Sequence, residues 1–269
     1  MNSNTEIFYD AMMNNRIRVL YQPIFDADHL KVVSAEALCR IELPSGRILN
    51  PNTFIPDLED SLAICDLDWY VAEEAALTLS EISEVRGNDI RISFNFSQQH
   101  AYEWDSVEKL TQIADKYCFI RDLLEVEITE TYKVDSELLR LLMDSIRSED
   151  FSIAIDDFGK GTNSLPMLEK IPFDTVKLDK SLIDSSGDNE RTFKIVNSII
   201  EMAHNLDSIV VAEGIEDVNQ LVRMIESGCD LLQGNYFSKP LSKEKFMSLV
   251  TGKDYKEGRH FTMPGNKAS

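Results

Sequence analysis

No apolar run in this chain approaches the roughly 18 residues that cross a bilayer. The first residues, Met1 to Arg16, hold no apolar core of the signal-peptide kind. Both absences point to a cytoplasmic protein with no membrane partner. Cysteine is scarce. Cys39, Cys65, Cys118 and Cys229 are widely spaced and form no CxxC pair, so neither a disulfide framework nor a thiolate zinc site is indicated. Four buried free thiols are the expectation. The histidines His29, His100, His204 and His260 make no HExxH and read as isolated surface or core residues. Positive charge is also in deficit, with 27 Lys and Arg against 47 Asp and Glu, a net charge of -20. Such a surface repels nucleic acid polymers and anionic membranes. It does not exclude a small anionic ligand, because a carboxylate cluster that binds divalent metal inverts the local field.

Familiar nucleotide motifs are missing too. Gly159-Lys160-Gly161 lacks the GxxxxGK[ST] spacing of a phosphate loop. Asp157-Phe158-Gly159 matches the metal-binding triplet of protein kinases, but no Gly-rich loop, HRD loop or VAIK lysine accompanies it.

What is present is an alternation of short β-rich runs and amphipathic stretches. Strands are predicted at Arg16–Ile24, Lys31–Ile41, Ile90–Asn95, Leu123–Ile128, Ser152–Asp156, Thr175–Leu178, Ser208–Ala212 and Leu231–Gly234. Helices are predicted at Asp66–Ser83, Ser106–Tyr117, Ser136–Glu149, Arg191–Asn205, Asp217–Ser227 and Lys243–Val250. Leu138, Leu141, Leu142 and Ile146 illustrate the helical spacing taken as a buried face. Another helix should begin near Leu165, capped by Thr162, Asn163 or Ser164. About eight strands, mostly followed by helices, give a β/α barrel of TIM type. One link breaks the pattern: only about six residues, Phe25 to Leu30, separate the first two strands, too few for a parallel crossover. The fold class is therefore α/β, a modified TIM-type barrel with one antiparallel strand. Residues 1–250 are expected to form a single barrel domain and 251–269 a polar C-terminal tail.

Acidic and polar residues recur where these strands end: Glu36, Asn95, Glu127, Glu130, Asp156, Asp157, Glu213 and Glu216, with Lys177 among them. Catalytic groups of β/α barrels collect at the C-terminal strand ends, so these segments could converge on one mouth, outside the core. Asp156-Asp157 is the most informative pair. Neighbouring side chains on a strand point to opposite faces, so both can serve one site only where the strand ends and the chain turns. Paired carboxylates suit two metals about 3.5–4 Å apart. Carboxylates with an Asn amide oxygen suit Mg²⁺ or Mn²⁺ better than zinc. Plain alternatives stand beside this. Asp-Asp also serves as a turn or helix cap, Glu216 with Asp217 could be an acidic first helical turn, and Lys177 could be a solvated strand residue.

The order of these motifs resembles the EAL domain family of cyclic di-GMP phosphodiesterases. The shared segments are Tyr21-Gln22-Pro23, Glu36-Ala37-Leu38, Asn95-Phe96-Ser97, Glu127-Ile128-Thr129-Glu130, Asp156-Asp157-Phe158-Gly159, Lys177-Leu178-Asp179, Ala212-Glu213-Gly214-Ile215-Glu216 and Gln233-Gly234. They run from about Tyr21 to Pro240. The resemblance implies that Glu36, Asn95, Glu127 and Asp156 bind one divalent cation, Mg²⁺ or Mn²⁺. Asp156 is shared with a second, which Asp157 also binds, and Glu213 lies on that second-metal and water side. It further implies that Lys177 holds the attacking water or the phosphate, that Glu216 supports the site, and that Glu130 anchors the loop after Asp157. Gln233 would complete the site wall, and Gln22 and Arg40 would contact substrate.

The activity so implied is hydrolysis of cyclic di-GMP to linear pGpG by a two-metal-activated water, in a homodimer whose loop Phe158–Ser164 links site and dimer surface. The alternative is a slow or silent barrel that serves as a cyclic dinucleotide receptor or protein-interaction module, or an enzyme for another cyclic dinucleotide. Departures from the family pattern are Cys39 and Ile41 around Arg40, and Lys160, Thr162 and Asn163 in the loop.

Overall fold

A computed structural model of the chain describes residues 3–87, 89–131, 133–160 and 164–252. The described strands are β1 (Ile17–Asp26), β2 (Val32–Glu42), β3 (Ile48–Leu49), β4 (Arg91–Asn95), β5 (Leu124–Thr129), β6 (Ser152–Phe158), β7 (Thr175–Leu178), β8 (Ile209–Ala212), β9 (Leu231–Gln233) and β10 (Leu241–Ser242). The described helices are α1 (Ser3–Met13), α2 (Pro51–Asp60), α3 (Ile64–Arg86), α4 (Ser106–Tyr117), α5 (Ser136–Ser148), α6 (Ser164–Lys170), α7 (Lys180–Asp188), α8 (Glu190–His204), α9 (Val218–Glu226) and α10 (Lys243–Thr251). Seven strands, β2 and β4 through β9, pair in parallel. β1 is antiparallel to both β2 and β9 and closes the eight-stranded barrel. The short link between β1 and β2 forces this reversal, as the sequence predicts. β3 and β10 extend β2 and β1 as short antiparallel additions.

The strands explain where the core sits. β5 reads Leu-Glu-Val-Glu-Ile-Thr, and its period of two sends Leu124, Val126 and Ile128 one way and Glu125 and Glu127 the other. The apolar set packs outward under the helices with Ile92, Phe94, Ile153, Ile155, Val176 and Leu178, all fully buried. The polar set fills the barrel. Glu125 accepts from Thr175 Oγ1 at 2.7 Å and pairs with Arg91 at 3.3 Å. The barrel interior is thus lined with charge in its own walls.

Several elements differ from expectation. α1, α2 and α7 have no predicted counterpart. α2 starts at Pro51, carries Pro56 and buries Phe54 and Leu58. On α5 the buried residues are Leu139, Met143 and Ile146, while Leu138 and Leu141 face solvent. The helix has leucines on several sides, and the apolar spacing selected a neighbouring face. Cys118 is exposed and Cys39 half-buried, so only Cys65 and Cys229 fit the expectation of buried thiols. Thr162 and Asn163, offered as caps of α6, lie outside the described residues, as does His260.

Candidate functional site

At the C-terminal ends of the parallel strands, six polar side chains meet. Glu36 comes from β2, Glu127 from β5, Asp156 from β6, Lys177 from β7 and Gln233 from β9, while Glu213 follows β8 directly. Lys177 Nζ lies 2.8 Å from Glu213 Oε1, 2.9 Å from Glu127 Oε2, 3.2 Å from Asp156 Oδ1 and 3.4 Å from Glu36 Oε2. Gln233 Nε2 donates to Glu36 Oε2 at 2.7 Å. Lys177 is only 1% exposed. It is a core residue, which corrects both its reading as a solvated strand residue and its expected place outside the core. The closed barrel gives β7 two buried faces, and the polar one holds the lysine.

The paired aspartates meet the condition that the sequence sets. The register of β6 against β7 shifts between Ile155 and Phe158, and Asp157 has φ of 58°, in the left-handed region. This bulge turns Asp157 back, so that carboxylate oxygens of Asp156, Asp157 and Glu213 lie within 4.8 Å of one another. Asp157 also accepts from Lys160 Nζ at 3.1 Å. The loop that follows is held by buried Glu130, which accepts from Gly159 N at 3.0 Å, while Glu130 N donates to Asp156 O at 3.1 Å. At the next strand end, Gly234 is required by close approach: a Cβ there would lie 2.1 Å from Ile215 O.

Charge decides what this arrangement can do. Four carboxylates face one ammonium. Burial alone would lower Lys177, but the carboxylates of Asp156, Glu127, Glu213 and Glu36 outweigh it and hold the ammonium well above its ordinary value. Burial, with Glu36 and Asp156 nearby, pushes Glu127 well above the usual carboxylate range. Burial likewise pushes Glu213 up to about 8, and burial with neighbouring Asp156 raises Asp157. Among the described residues, buried Glu127 Oε1, Asp156 Oδ1 and Gln233 Oε1 find no hydrogen-bond partner, although Asp156 Oδ1 is in ion-pair range of Lys177. Orphaned oxygens beside uncompensated negative charge are the signature of a group that can hold a divalent cation. The donors are all oxygen, which fits a hard cation.

The other predicted residues are placed less centrally. Asn95 ends β4 in register with Glu127 and lines one cavity with Glu127, Asp156 and Asp157, its residue exposed to solvent. That cavity, of about 310 Å³, continues along apolar Ile55, Ile64, Leu67 and Val71. Gln22 stands opposite Glu36 across β1 and β2 and shares its face. Arg40 lies four residues beyond Glu36 on β2 and donates to Cys39 O at 2.7 Å. No hydrogen bond joins Gln22 or Arg40 to the cluster among the described residues. Glu216 is outside the cluster: it is 50% exposed and pairs with Lys180 at 2.5 Å. Asp217 is instead the N-cap of α9, in a capping box with Gln220, and the first turn of that helix holds no acid, which corrects the reading of Glu216 and Asp217 as an acidic first turn.

Two supporting residues escaped the sequence reading. Asp68 on α3 is buried and accepts from Ser97 N at 2.7 Å, just past Asn95. Its signal was a lone acid on an apolar helix face. His100, read as isolated, lies between Asp68 and Glu103 at 3.2 and 3.0 Å.

Comparison with known proteins agrees with this geometry. The chain is 33% identical over 245 residues to the signaling protein YkoW of Bacillus subtilis, covering 91% of this chain and 30% of that protein. It is 32% identical over 234 residues to the cyclic di-GMP phosphodiesterase NbdA of Pseudomonas aeruginosa, covering 86% of this chain and 30% of the relative. The chain thus spans about 30% of the length of these two curated relatives. Among solved structures, the EAL enzyme Bd1971 in its cAMP- and cyclic-di-GMP-bound form superposes with a TM-score of 0.86 at 27% identity, covering 91% of this chain and 68% of that one. The sequence model of the EAL domain matches residues 5–240, which take in the barrel and each strand end that builds the cluster; the chain belongs to the EAL domain family.

Proposed function

We propose that this chain is a metal-dependent phosphodiesterase that hydrolyses cyclic di-GMP to linear pGpG. One observation carries the reading: among the described residues one buried ammonium faces four carboxylates, and Glu127 Oε1 and Asp156 Oδ1 accept no hydrogen bond. Glu36, Asn95, Glu127 and Asp156 would hold one Mg²⁺ or Mn²⁺, and Asp156, Asp157 and Glu213 a second. Such cations supply Lewis acidity toward a phosphoryl oxygen and acidify water. Lys177 keeps its proton throughout, so it acts as a fixed positive charge and not as a base. Glu213 meets Lys177 through Oε1, and burial raises its carboxyl to about 8, so it can accept a proton near neutral pH. Hydrolysis joins a water oxygen to phosphorus and breaks the bond to the 3′-oxygen, which leaves as a hydroxyl. Arg40, with its planar fork of donors, is suited to a substrate phosphate. Gln22 and Gln233 contribute neutral amides to the wall.

We further propose that residues 1–250 act as one domain, in the cytoplasm, as a homodimer. No described helix is long and apolar enough to cross a membrane. Glu130 fixes Gly159 at the start of the loop Phe158–Ser164, whose residues 161–163 lie outside the described set. The decisive experiment incubates the protein with several cyclic dinucleotides, with and without Mn²⁺, and separates the products. Linear pGpG formed only with metal supports the reading. Tight binding without product would replace it with a receptor.

A further inference from the structure

A second set of ligand-type side chains lies away from the carboxylate cluster. Cys65 comes from the first turn of α3, His100 from the 3-10 turn Gln98–Tyr102 and Glu103 from the residue after it. A ligand atom of each lies within 4.8 Å of the other two. His100 has no exposed surface and Cys65 almost none. The imidazole is fixed on every side. Phe96 stacks on it at 3.9 Å, and the Trp69 ring meets it edge-on at 4.7 Å. Glu103 Oε2 stands 3.0 Å from Nδ1, Asp68 Oδ2 stands 3.2 Å from Nε2, and Trp69 Nε1 donates to Glu103 at 3.3 Å.

The plain account makes His100 a hydrogen-bonded bridge between two carboxylates. That account leaves Glu103 to a longer contact with Lys109 Nζ at 3.8 Å and gives Cys65 no part. We propose that Cys65, His100 and Glu103 form a binding site for a zinc-class transition metal, with Asp68 orienting the imidazole from its far nitrogen. A thiolate and a carboxylate neutralise a divalent cation, and neutral imidazole adds a third donor. Zinc bonds of 2.0–2.3 Å place tetrahedral ligand atoms about 3.5 Å apart, so closure needs inward movement of about an ångström. A carboxylate on the free imidazole nitrogen is the arrangement that fixes a metal-binding tautomer. Sulfur and nitrogen donors here, against oxygen alone at the mouth, would sort two kinds of cation by softness. Spacing hid the site, because its ligands are spread from position 65 to 103 and include no CxxC. Occupancy would stiffen the end of β4 as well, since Asp68 also holds Ser97 N.

Cobalt(II) reports such a site without reference to hydrolysis. The full chain, stripped by chelator, is titrated with Co²⁺ while thiolate-to-cobalt charge-transfer absorption is followed. The expected result is a band saturating at one equivalent, bleached by Zn²⁺, lost in Cys65→Ser and kept in Asp156→Asn. No band in the parent protein overturns the proposal. So does a band that persists in Cys65→Ser, which would assign it to Cys39, Cys118 or Cys229. If Cys65→Ser does not fold, Glu103→Gln takes its place. It should weaken Co²⁺ binding by at least about 10-fold, since even partners that only orient a ligand are worth about 10–100-fold, and unchanged affinity overturns the site.

Discussion

Replacing Lys177 by methionine keeps the volume of the side chain and removes its charge. The ammonium is the shared partner of four carboxylates at 2.8 to 3.4 Å, inside a closed barrel. Removing one partner from a buried ionic group costs about 3–5 kcal/mol, because the charge left behind has no counterpart. We therefore predict a loss of that size in chelator, read from denaturant unfolding. Divalent cation should reverse much of it. A ligand at about 100 times its dissociation constant adds about 2.7 kcal/mol to the folded state, and here it also neutralises the orphaned charge. The deficit of Lys177→Met should then shrink by half or more in saturating Mg²⁺. Turnover should stay at least ~10²-fold low in either case, since cations do not replace the lost donor toward the phosphate. Equal destabilisation with and without Mg²⁺, or a loss below about 1 kcal/mol in chelator, would refute the reasoning. It would mean that the carboxylates are already neutral, or that they do not hold a cation.

Three further outcomes are expected. Chelator should abolish cyclic di-GMP hydrolysis and Mg²⁺ or Mn²⁺ restore it, with Ca²⁺ a poor substitute because its coordination is larger and looser; full activity in excess chelator would remove the metal from the mechanism. Burial raises Glu213 to about 8 in the metal-free fold, so the folded state holds a proton that the unfolded state loses near pH 4.5. Metal-free stability should therefore fall as pH rises through that window, while cation affinity climbs toward pH 8 with proton release; calorimetry in buffers of different ionisation enthalpy would detect it, and pH-independent affinity would contradict it. Arg40→Ala should weaken cyclic dinucleotide binding more than metal binding, and equal losses in parallel titrations would instead indicate a structural role.

The parts of this molecule that sequence made legible share one cause. Glu127, Asp156 and Glu213 stand at or near strand ends, and Glu36 near the end of the stretch over which β2 pairs with β4; a barrel brings such ends together whatever lies between them. The five residues between β1 and β2 dictated the reversed strand for equally simple chain geometry. What stayed hidden depends on closure in three dimensions. Val176-Lys177-Leu178 alternates, but alternation does not say which face is buried when both are. Leu138 and Leu141 share α5 with Leu139 and Met143, and only packing chose between those faces. Glu216 follows the motif as closely as Glu213, yet the turn after β8 carries it out to Lys180.

The reversal of β1 also sets where the polypeptide enters. In an all-parallel barrel the first strand begins at the floor, opposite the mouth. Here Gln22 lies across from Glu36, and the start of β1 lies across from Ile41, beyond the cluster. α1 therefore leads in on the mouth side and packs against α2 there. Any module spliced ahead of Ser3 would share that rim instead of hanging from the far end. Cargo filling the mouth and such a module would then meet the same few helices.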